Sequence, residues 1–486
     1  MTELLSRFDD LRRREPTRPL IHLPAVGSTL SAAAIWDAHQ GLANRLAERG
    51  VSPGRLVISA LGNSPASVEL LLACRALRAA LMPVDGCATP TEIHQLAGRF
   101  RAAAVALPED VVRTDWTPRV YPDAAVLKVT SGSTGEPKAT LTTEAQLVAD
   151  ATHIVAAMEI RPSDVQIAAI PVSHSYGLGN LMLPLLMQGT AFVLRESFIP
   201  HQLPADAARY GARVFPGVPF MFEYFLANPP AGGWPPTLRR LISAGAPLGA
   251  ATVREFHTRF GVKIHAFYGS SETGGVSFDD SEHVGDAGTV GRPLPGVAVT
   301  LRIADCALRQ ARGAAIDHSA INQQSAIGNP PSPLRVHVVS DAVSSGYADG
   351  DCRDFVDGGF LTADYGAWDA CHRLTLVGRA SSFVNVAGKK VQPDEVEHVL
   401  REMPGVADAR VVAAPDARRG QQLVACLVAA SGSAPTALEV RRHCAARLAP
   451  HKIPRAIVFL DAIPVTARGK TDRAALDDLV RARLAP

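Results

Sequence analysis

Short apolar runs alternate with amphipathic segments along most of this chain. Residues 31–50 carry apolar side chains on one helical stripe, and the run Val57–Leu61 that follows suits a buried strand. Further strand-like runs are Gln166–Val172, Ala191–Leu194, Arg213–Phe215, Arg240–Ser243 and Lys263–Phe267. Further helical segments are Ser67–Ala80, Leu203–Tyr210 and Ala250–Phe260. Because buried strands separated by helices are typical of βαβ units, the sequence predicts an α/β fold of layered, mostly parallel sheets.

The chain is long enough to hold more than one domain. At 486 residues it exceeds one ordinary hydrophobic core, so two or three domains are expected. Towards the carboxyl end, strand-like runs and two amphipathic helices, capped by Asp394 and Thr471, suit a small α+β domain. We therefore expect domains at residues 1–378 and 379–486. Residues 306–333 lack periodicity, which is typical of a surface loop or an insertion.

Composition and charge exclude several classes of function. The 49 basic and 47 acidic residues leave a formal net charge of +2, so neither a nucleic acid nor an anionic membrane is expected as a partner. The seven cysteines are dispersed without a C-x-x-C pair, a pattern that favours reduced thiols over a zinc site. Acidic residues stand where a signal peptide needs an apolar region, and no stretch approaches the roughly 20 apolar residues of a membrane span. A cytoplasmic protein is expected.

The segment Thr130–Lys138, with the sequence T-S-G-S-T-G-E-P-K, follows the strand-like run Ala124–Val129. Its two glycines allow a ligand to approach the backbone, and its hydroxyl and N–H groups can bind anionic oxygens. Lys138 adds a positive charge, but it follows Pro137 and precedes Ala139, so this is not a Walker A loop. A flexible Ser/Gly linker is the alternative. Because α/β proteins place ligands at the ends of buried strands, the pattern favours a polyphosphate-binding loop.

Other polar segments also follow predicted strands. In Tyr268–Gly275, Y-G-S-S-E-T-G-G, an aromatic ring could stack on a base and the carboxylate could hold Mg²⁺ near phosphates; a polar turn is the alternative. Ser243–Pro247 belongs to the same expected rim of strand ends. Taken alone, His174 is more often a structural residue, and the basic turn Arg468–Arg473 is more often solvated surface.

Taken together, these segments resemble the adenylate-forming superfamily, which includes acyl- and aryl-CoA synthetases, peptide-synthetase adenylation domains and firefly-luciferase-like enzymes. The resemblance covers nearly the whole chain and follows the order of the family's motifs. The segments that carry it are Thr130–Lys138, Pro171–Gly177, Ser243–Pro247, Tyr268–Thr273, Gly288–Gly296, Thr362–Asp364, Gly378–Arg379, Gly388–Glu395 and Pro464–Lys470.

The resemblance implies a large N-terminal domain of layered sheets and a small, mobile α+β C-terminal domain with a hinge at Ser381. It also implies two half-reactions. A carboxylate attacks the α-phosphate of MgATP to give an acyl-adenylate and pyrophosphate, and a thiol then displaces AMP. The implied cofactors are ATP, Mg²⁺ and CoA, or the phosphopantetheine thiol of a separate acyl carrier protein.

The resemblance also assigns roles to individual residues. Lys470 would bridge the carboxylate and the α-phosphate, Glu272 and Thr134 would hold Mg²⁺, and His174 would be a catalytic, gating residue. The implied nucleotide-binding residues are Thr130, Ser131, Gly132, Ser133, Thr134, Gly135, Lys138, Gly245, Ala246, Tyr268, Gly269, Ser271, Asp364 and Arg379. The implied residues of the substrate site are His174, Val218 and Gly245.

The chain departs from the family's usual residues at four positions, Ala139, Ala363, Ser381 and Asn385. Glycine is usual at the first two, Asp or Lys at the hinge, and Lys is common at the last. None of these changes removes a principal charged group, so an active enzyme is expected.

The carboxylic acid itself is only partly constrained. Relatives that activate amino acids usually place an Asp near the position of His174, and residues 172–179 contain none, so an acid without an amino group is expected. Aryl and medium-chain acids both stay open. The leading hypothesis is an acyl- or aryl-CoA ligase. The alternatives are an acyl-AMP ligase that loads a carrier protein, a degenerate homologue that only binds nucleotide or acyl ligands, and an oxygenase of the luciferase type.

Overall fold

The structure is a computed structural model, and it divides into two compact units. The residues outside its description are 87, 131–136, 287, 304–333, 380–383, 387–388, 392, 417–419, 431–433, 449–451, 467–470 and 485–486. Unit 1 contains the described residues of 1–300, 337–361 and 368–375. Unit 2 contains those of 301–336, 362–367 and 376–486.

The helices are α1 Glu3–Arg14, α2 Ala32–Glu48, α3 Pro65–Ala76, α4 Pro90–Arg99, α5 Glu144–Met158, α6 Ser175–Gly177, α7 Leu183–Gln188, α8 Leu203–Tyr210, α9 Pro219–Ala227, α10 Ala250–Phe260, α11 Pro393–Arg401, α12 Ala437–Ala445 and α13 Arg473–Leu484. A π-helical turn at Leu178–Met182 joins α6 to α7, and a 3₁₀ turn occupies Val284–Asp286.

The strands are β1 Pro19–Leu23, β2 Ser28–Ser31, β3 Leu56–Ser59, β4 Ala80–Pro83, β5 Ala104–Ala106, β6 Val111–Arg113, β7 Val126–Thr130, β8 Lys138–Thr142, β9 Val165–Ala168, β10 Ala191–Leu194, β11 Val214–Gly217, β12 Arg240–Ser243, β13 Ile264–Ser270, β14 Gly274–Phe278, β15 Arg292–Pro293, β16 Ala298–Ile303, β17 Leu334–Val339, β18 Phe355–Val356, β19 Gly359–Trp368, β20 Leu374–Arg379, β21 Val384–Val386, β22 Lys389–Val391, β23 Val406–Asp416, β24 Gly420–Ala429 and β25 Ala456–Leu460.

Unit 1 contains two large sheets. One has the order β6-β5-β3-β4-β7-β8, with parallel pairs in its centre and antiparallel strands at its edges. The other has the order β15-β14-β13-β12-β11-β9-β10-β1-β2, and its strands from β13 to β1 pair in parallel. The predicted α/β fold with mostly parallel sheets is therefore confirmed.

Amphipathic helices bury their apolar faces in unit 1. Helix α2 begins where the Ser31 hydroxyl accepts a hydrogen bond of 3.3 Å from the backbone of Ala34. Ile35 and Leu46 on its inner face are fully buried, as is Phe192 on β10. Complete burial of one such side chain stabilises the folded state by about 1.5–3 kcal/mol.

Several predicted elements need correction at their ends. The predicted helix Ser67–Ala80 is Pro65–Ala76, because Arg78 has a left-handed φ of +52° and Ala80 already begins strand β4. Asp394 lies inside α11 and does not precede it. Thr471 does not cap α13, because the backbone N–H of Ala475 donates to Asp472 Oδ1 at 3.1 Å.

Unit 2 has a smaller antiparallel sheet with the order β22-β21-β24-β23, to which β25 adds in parallel beside β24. Val396 and Leu400 of α11 and Leu427 of β24 are buried in its core. Helices and a mixed sheet together match the expected α+β content. The domain boundary after residue 378 and the hinge at Ser381 stay predictions, because residues 380–383 lie outside the description.

The sequence also predicted an insertion at residues 306–333 and the absence of a membrane span. The expected insertion at residues 306–333 lies entirely outside the residues that the structure describes. In the part of the chain that it does describe, every helix is too short or too polar to cross a membrane.

Candidate active site

Neighbouring parallel strands of the large sheet place several predicted site residues along one edge. Strands β9, β11, β12 and β13 are neighbours, and their carboxyl ends precede the segments predicted to bind ligands. The hydroxyl of Tyr176, after β9, donates to the carbonyl oxygen of Ile242 at 3.1 Å. Ser175 and Ser271 hydroxyl oxygens lie 2.8 Å apart. The fold therefore brings together the segments around His174 and Ser271.

The predicted substrate residues Val218 and Gly245 lie next to each other on this edge. A Cβ added to Gly245 would lie 3.7 Å from Val218 Cγ1. The φ of Gly245 is +81°, a left-handed conformation that favours glycine. Gly245 and Ala246 are exposed. Tyr268, in contrast, is buried within β13.

The carboxylate of Glu272 lies at the tip of the antiparallel hairpin formed by β13 and β14. The tip is fixed by the Ser270 hydroxyl, which accepts hydrogen bonds of 3.2 Å from the backbone of Glu272 and of Thr273. The hydroxyl of Tyr347 donates to Glu272 Oε1 at 2.8 Å. Burial and the adjacent Glu272 raise the pKa of Tyr347 far above its ordinary value, so this hydroxyl stays a donor.

The predicted phosphate loop lies between strands β7 and β8. Its first residue, Thr130, ends the largely buried strand β7, as predicted. Strands β7 and β8 pair antiparallel, and Thr130 stands opposite Lys138 in their register. Both ends of the loop are therefore held side by side. Ser131, Gly132, Ser133, Thr134 and Gly135 lie outside the described residues.

Lys138 is held by a partner that the sequence did not reveal. Its Nζ lies 2.8 Å from Asp351 Oδ2 and 5.2 Å from the centre of the Tyr347 ring. Arg353 also contacts Asp351, and Arg353 and Lys138 together hold the pKa of Asp351 well below its usual range. Lys138 thus has its charge oriented by a carboxylate and by an aromatic face.

A buried charge cluster lies below this site. The ammonium-bearing side chain of Lys128 on β7 is buried, and burial lowers its pKa while Asp150 and Glu272 oppose that shift. Asp150 on α5 accepts a hydrogen bond of 2.8 Å from the backbone of Gly275. The sequence analysis treated Ala124–Val129 as a buried apolar strand and assigned no role to Lys128. A lysine within such a run is rarely buried without a charged partner, and this is the signal that could have identified it.

The turn that carries His174 is tightly fixed. Asn63 accepts a hydrogen bond of 2.8 Å from the backbone of Val172 and donates one of 3.3 Å to Ile170. His174 Nε2 lies 3.6 Å from Asp85 Oδ2. Asp85 comes from a segment remote in sequence and places near His174 a carboxylate that residues 172–179 do not contain.

Two other predicted residues, Asp364 and Arg379, belong to unit 2. Asp364 lies on β19, where it is buried and its backbone N–H donates to the Thr362 hydroxyl at 3.1 Å. Arg379 ends β20. Lys470 and the hinge residue Ser381 lie outside the described residues.

The residues present fit an Mg²⁺ site that the substrate would help to complete. No group of three His, Cys, Asp or Glu side chains that could hold a metal occurs among the residues that the structure describes. Mg²⁺ usually takes one or two protein carboxylates and otherwise binds phosphates and water. A single, firmly oriented Glu272 satisfies that requirement.

Comparisons with known proteins identify the family of this chain. The family model described as AMP-binding enzyme matches residues 108–313, and that of the AMP-binding enzyme C-terminal domain matches residues 395–470. Novobiocin biosynthesis protein H of Streptomyces niveus is 31% identical over 97% of this chain and 81% of its own length. The chain belongs to the adenylate-forming superfamily of AMP-binding enzymes.

Other members of this superfamily are similar along their whole length. Sulfoacetate–CoA ligase of Cupriavidus necator is 26% identical, over 95% of this chain and 94% of its own. The fatty acid–[acyl-carrier-protein] ligase ScoC of Streptomyces coeruleorubidus is 27% identical, over 96% and 94%. The crystal structure of ATP-bound MatB from Rhodopseudomonas palustris has a TM-score of 0.80 at 23% identity and covers 98% of both chains, which confirms the fold.

Membership of the adenylate-forming superfamily confirms the predicted class of enzyme, an AMP-forming acid–thiol ligase. The predicted cofactors ATP, Mg²⁺ and CoA are confirmed with it. The roles of the individual site residues stay predictions.

Proposed function

We propose that this chain converts a carboxylic acid without an amino group into its acyl-adenylate and then transfers the acyl group to coenzyme A. One observation carries the assignment of the site. Lys138 and Glu272, predicted to bind phosphate and Mg²⁺, both contact the same side chain, that of Tyr347. A cation and an acid held this close suit the binding of a metal-complexed polyphosphate.

In the first step, a carboxylate oxygen of the acid attacks the α-phosphorus and the bond to pyrophosphate breaks. Lys138 would bind the β- and γ-phosphates, while Glu272 and Thr134 would hold Mg²⁺, which neutralises phosphate charge. Lys470 would bridge the carboxylate and the α-phosphate. Because such a reaction needs little covalent chemistry from the protein, positioning and charge stabilisation account for catalysis.

In the second step, the thiol sulfur attacks the acyl carbon, the bond from that carbon to AMP breaks, and the thiol proton is released. Between the two steps, we propose that the small C-terminal domain, which begins after residue 378, rotates about Ser381. Asp364 would bind the ribose hydroxyls and Arg379 the nucleotide. These assignments follow from the order of the family's motifs. A hinge of this kind separates two steps that need different groups.

The acid site would be lined by His174, Val218 and Gly245. Residues 172–179 contain no Asp, which supports an acid without an amino group. Asp85 nevertheless lies 3.6 Å from His174, so the experiment compares acids with and without an amino group directly.

ATP–pyrophosphate exchange is the test. The panel contains aryl, short-chain and long-chain acids, and each alkanoic acid stands beside its α-amino counterpart, such as 3-phenylpropionate beside phenylalanine. We expect exchange with at least one amine-free acid and none with its amino counterpart. If ATP binds but no acid supports exchange, the chain is a nucleotide-binding homologue without this activity, and the proposal is wrong.

The thiol acceptor is tested next with the acid identified in this way. We expect thioester formation with CoA. The alternative is that the adenylate is transferred only to the thiol of a carrier protein. One relative, ScoC, is named as a ligase for an acyl carrier protein. Side-by-side assays with CoA and with a phosphopantetheinylated carrier protein distinguish the two.

We also propose a cytoplasmic location. The described cysteines are free thiols, and burial raises the pKa of both Cys74 and Cys426 to about 12. Unpaired thiols suit a reducing compartment. Detection of the protein in a membrane or exported fraction after cell fractionation would contradict this part of the proposal.

A further inference from the structure

The segment Ser344–Asp351 is fixed against the site by its backbone. Leu141 N–H donates to the Gly346 carbonyl oxygen and Ser345 N–H donates to that of Leu141, each at 2.8 Å. From the other side, Ser344 N–H donates to the carbonyl oxygen of Glu272 at 2.8 Å. The segment therefore joins strand β8, which begins with Lys138, to the hairpin tip that carries Glu272.

Tyr347, in the middle of this segment, contacts both predicted MgATP groups. Its hydroxyl donates to Glu272 Oε1 at 2.8 Å, and Lys138 Nζ lies 5.2 Å from its ring centre. Its ring also packs edge-on against Phe355, with centroids 5.5 Å apart. The hydroxyl of Tyr347 therefore contacts Glu272, while its ring contacts Lys138.

Each contact restrains a group that would otherwise be flexible. A neutral donor on Oε1 fixes the orientation of the Glu272 carboxylate while leaving Oε2 and its negative charge for a metal ion. The aromatic face attracts the Lys138 ammonium, and Asp351 holds it from another direction at 2.8 Å. The side chain therefore fixes the relative position of an acid and a cation.

We propose that Tyr347 is a positioning residue for the adenylation half-reaction: it orients Glu272 for Mg²⁺ and holds Lys138 at the end of the phosphate loop. It acts through these two residues. The inference rests on the proposed function, because it requires Glu272 to be the metal ligand.

The test separates the hydroxyl from the ring. Tyr347→Phe removes the hydrogen bond to Glu272 and keeps the ring beneath Lys138, whereas Tyr347→Leu removes both. The first readout is Mn²⁺ binding to the full-length protein with saturating ATP, measured by electron paramagnetic resonance. The second is the Mg²⁺ dependence of ATP–pyrophosphate exchange, with KM for ATP and kcat determined separately.

We expect Tyr347→Phe to weaken Mn²⁺ binding on the order of tenfold, because a hydrogen bond to a charged group is lost. Its affinity for ATP without metal should stay close to that of the wild type. Tyr347→Leu should lose the same metal affinity and also bind ATP a few-fold more weakly, because the cation–π contact is removed.

Phe355→Leu is the matched control, since it disturbs the same aromatic cluster without touching Glu272. It should lower the thermal midpoint and leave Mn²⁺ affinity unchanged. Wild-type Mn²⁺ affinity in Tyr347→Phe, or an equal loss in Phe355→Leu, overturns the inference. Glu272→Gln tests the premise: if that variant binds Mn²⁺ as the wild type does, the proposed metal site itself is wrong.

Discussion

Lys263 and Asp279 form a buried ion pair at the base of the hairpin that carries Glu272. Their Nζ and Oδ2 atoms are 2.8 Å apart, and the two side chains are 1% and 3% exposed. Lys263 immediately precedes β13 and Asp279 immediately follows β14. The pair therefore joins the two chain ends of the hairpin, opposite the tip that carries Glu272.

Asp279→Ala should strongly destabilise the protein, because it leaves the Lys263 ammonium buried without its partner. Removing one member of a buried pair typically lowers the free energy of unfolding by about 3–5 kcal/mol. The measurement is urea denaturation followed by intrinsic fluorescence. Glu3→Gln, which removes an exposed ion pair with Arg7, is the control and should change the stability by about 0–1 kcal/mol. Equal effects of the two substitutions would contradict the prediction.

His265 should make the stability fall in mild acid. Its Nδ1 lies 2.8 Å from the carbonyl oxygen of Asp279, and burial lowers its pKa below the ordinary value. The unfolded chain therefore takes up a proton below about pH 6.5, whereas the folded chain resists protonation. This contribution to stability is present above that pH and is lost as the pH falls through the lower, folded-state pKa.

The check is the thermal midpoint of unfolding between pH 8 and pH 5. A single group of this kind changes the free energy of unfolding by at most about 1.4 kcal/mol per pH unit. His265→Gln should reduce the slope, whereas His257→Gln, at an exposed position on α10, should not. The same slope in both variants would assign the effect to other groups.

Gly177→Ala should disrupt the turn that carries His174. A Cβ at this position would lie 2.1 Å from the carbonyl oxygen of Pro171, so the backbone has to shift. We expect a destabilisation of about 1–3 kcal/mol, typical of overpacking, together with a raised KM for the carboxylic acid. Gly41→Ala is the matched control: nothing lies within 4 Å of its added Cβ, and helix propensity favours Ala by about 1 kcal/mol. The variants are compared by thermal unfolding and by pyrophosphate exchange.

Lys470→Ala should abolish adenylation while leaving ATP binding largely intact, because its proposed role is to stabilise charge in the transition state. Loss of one such group typically lowers the rate by about 10²–10³-fold. Pyrophosphate exchange and ATP binding by calorimetry measure the two effects separately. Lys452→Ala removes another lysine of the same unit and should behave as the wild type. Unchanged exchange in Lys470→Ala would refute the assignment.

Local patterns predicted the elements more accurately than the contacts of the site. The runs Ala191–Leu194, Leu203–Tyr210 and Ala250–Phe260 were predicted with the bounds that the structure shows. Their periodicity is a property of neighbouring residues, so no tertiary information is needed. The predicted ends of helices were less accurate. Thr471, for example, does not cap α13, because its hydroxyl accepts a hydrogen bond of 2.9 Å from Arg410 instead.

The side chains that contact the predicted site residues could not be identified from any local pattern in the sequence. Tyr347 contacts Glu272 across 75 positions of sequence, and Asp351 contacts Lys138 across 213. Asp85 lies in the loop after β4 and places a carboxylate 3.6 Å from His174. Such pairs depend on the packing of separate loops, and no spacing rule within one segment predicts them.

The sequence by itself therefore determined the alternation of strands and helices and the superfamily, because each depends on residues that are neighbours or stand in a fixed order, whereas the polyphosphate-binding role of Thr130–Lys138 stays a prediction. Only the tertiary structure decided which side chains orient Glu272 and Lys138, and which acid lies beside His174. The physical reason is that hydrogen bonds and ion pairs act over about 3–4 Å, a distance that folding alone establishes between remote residues.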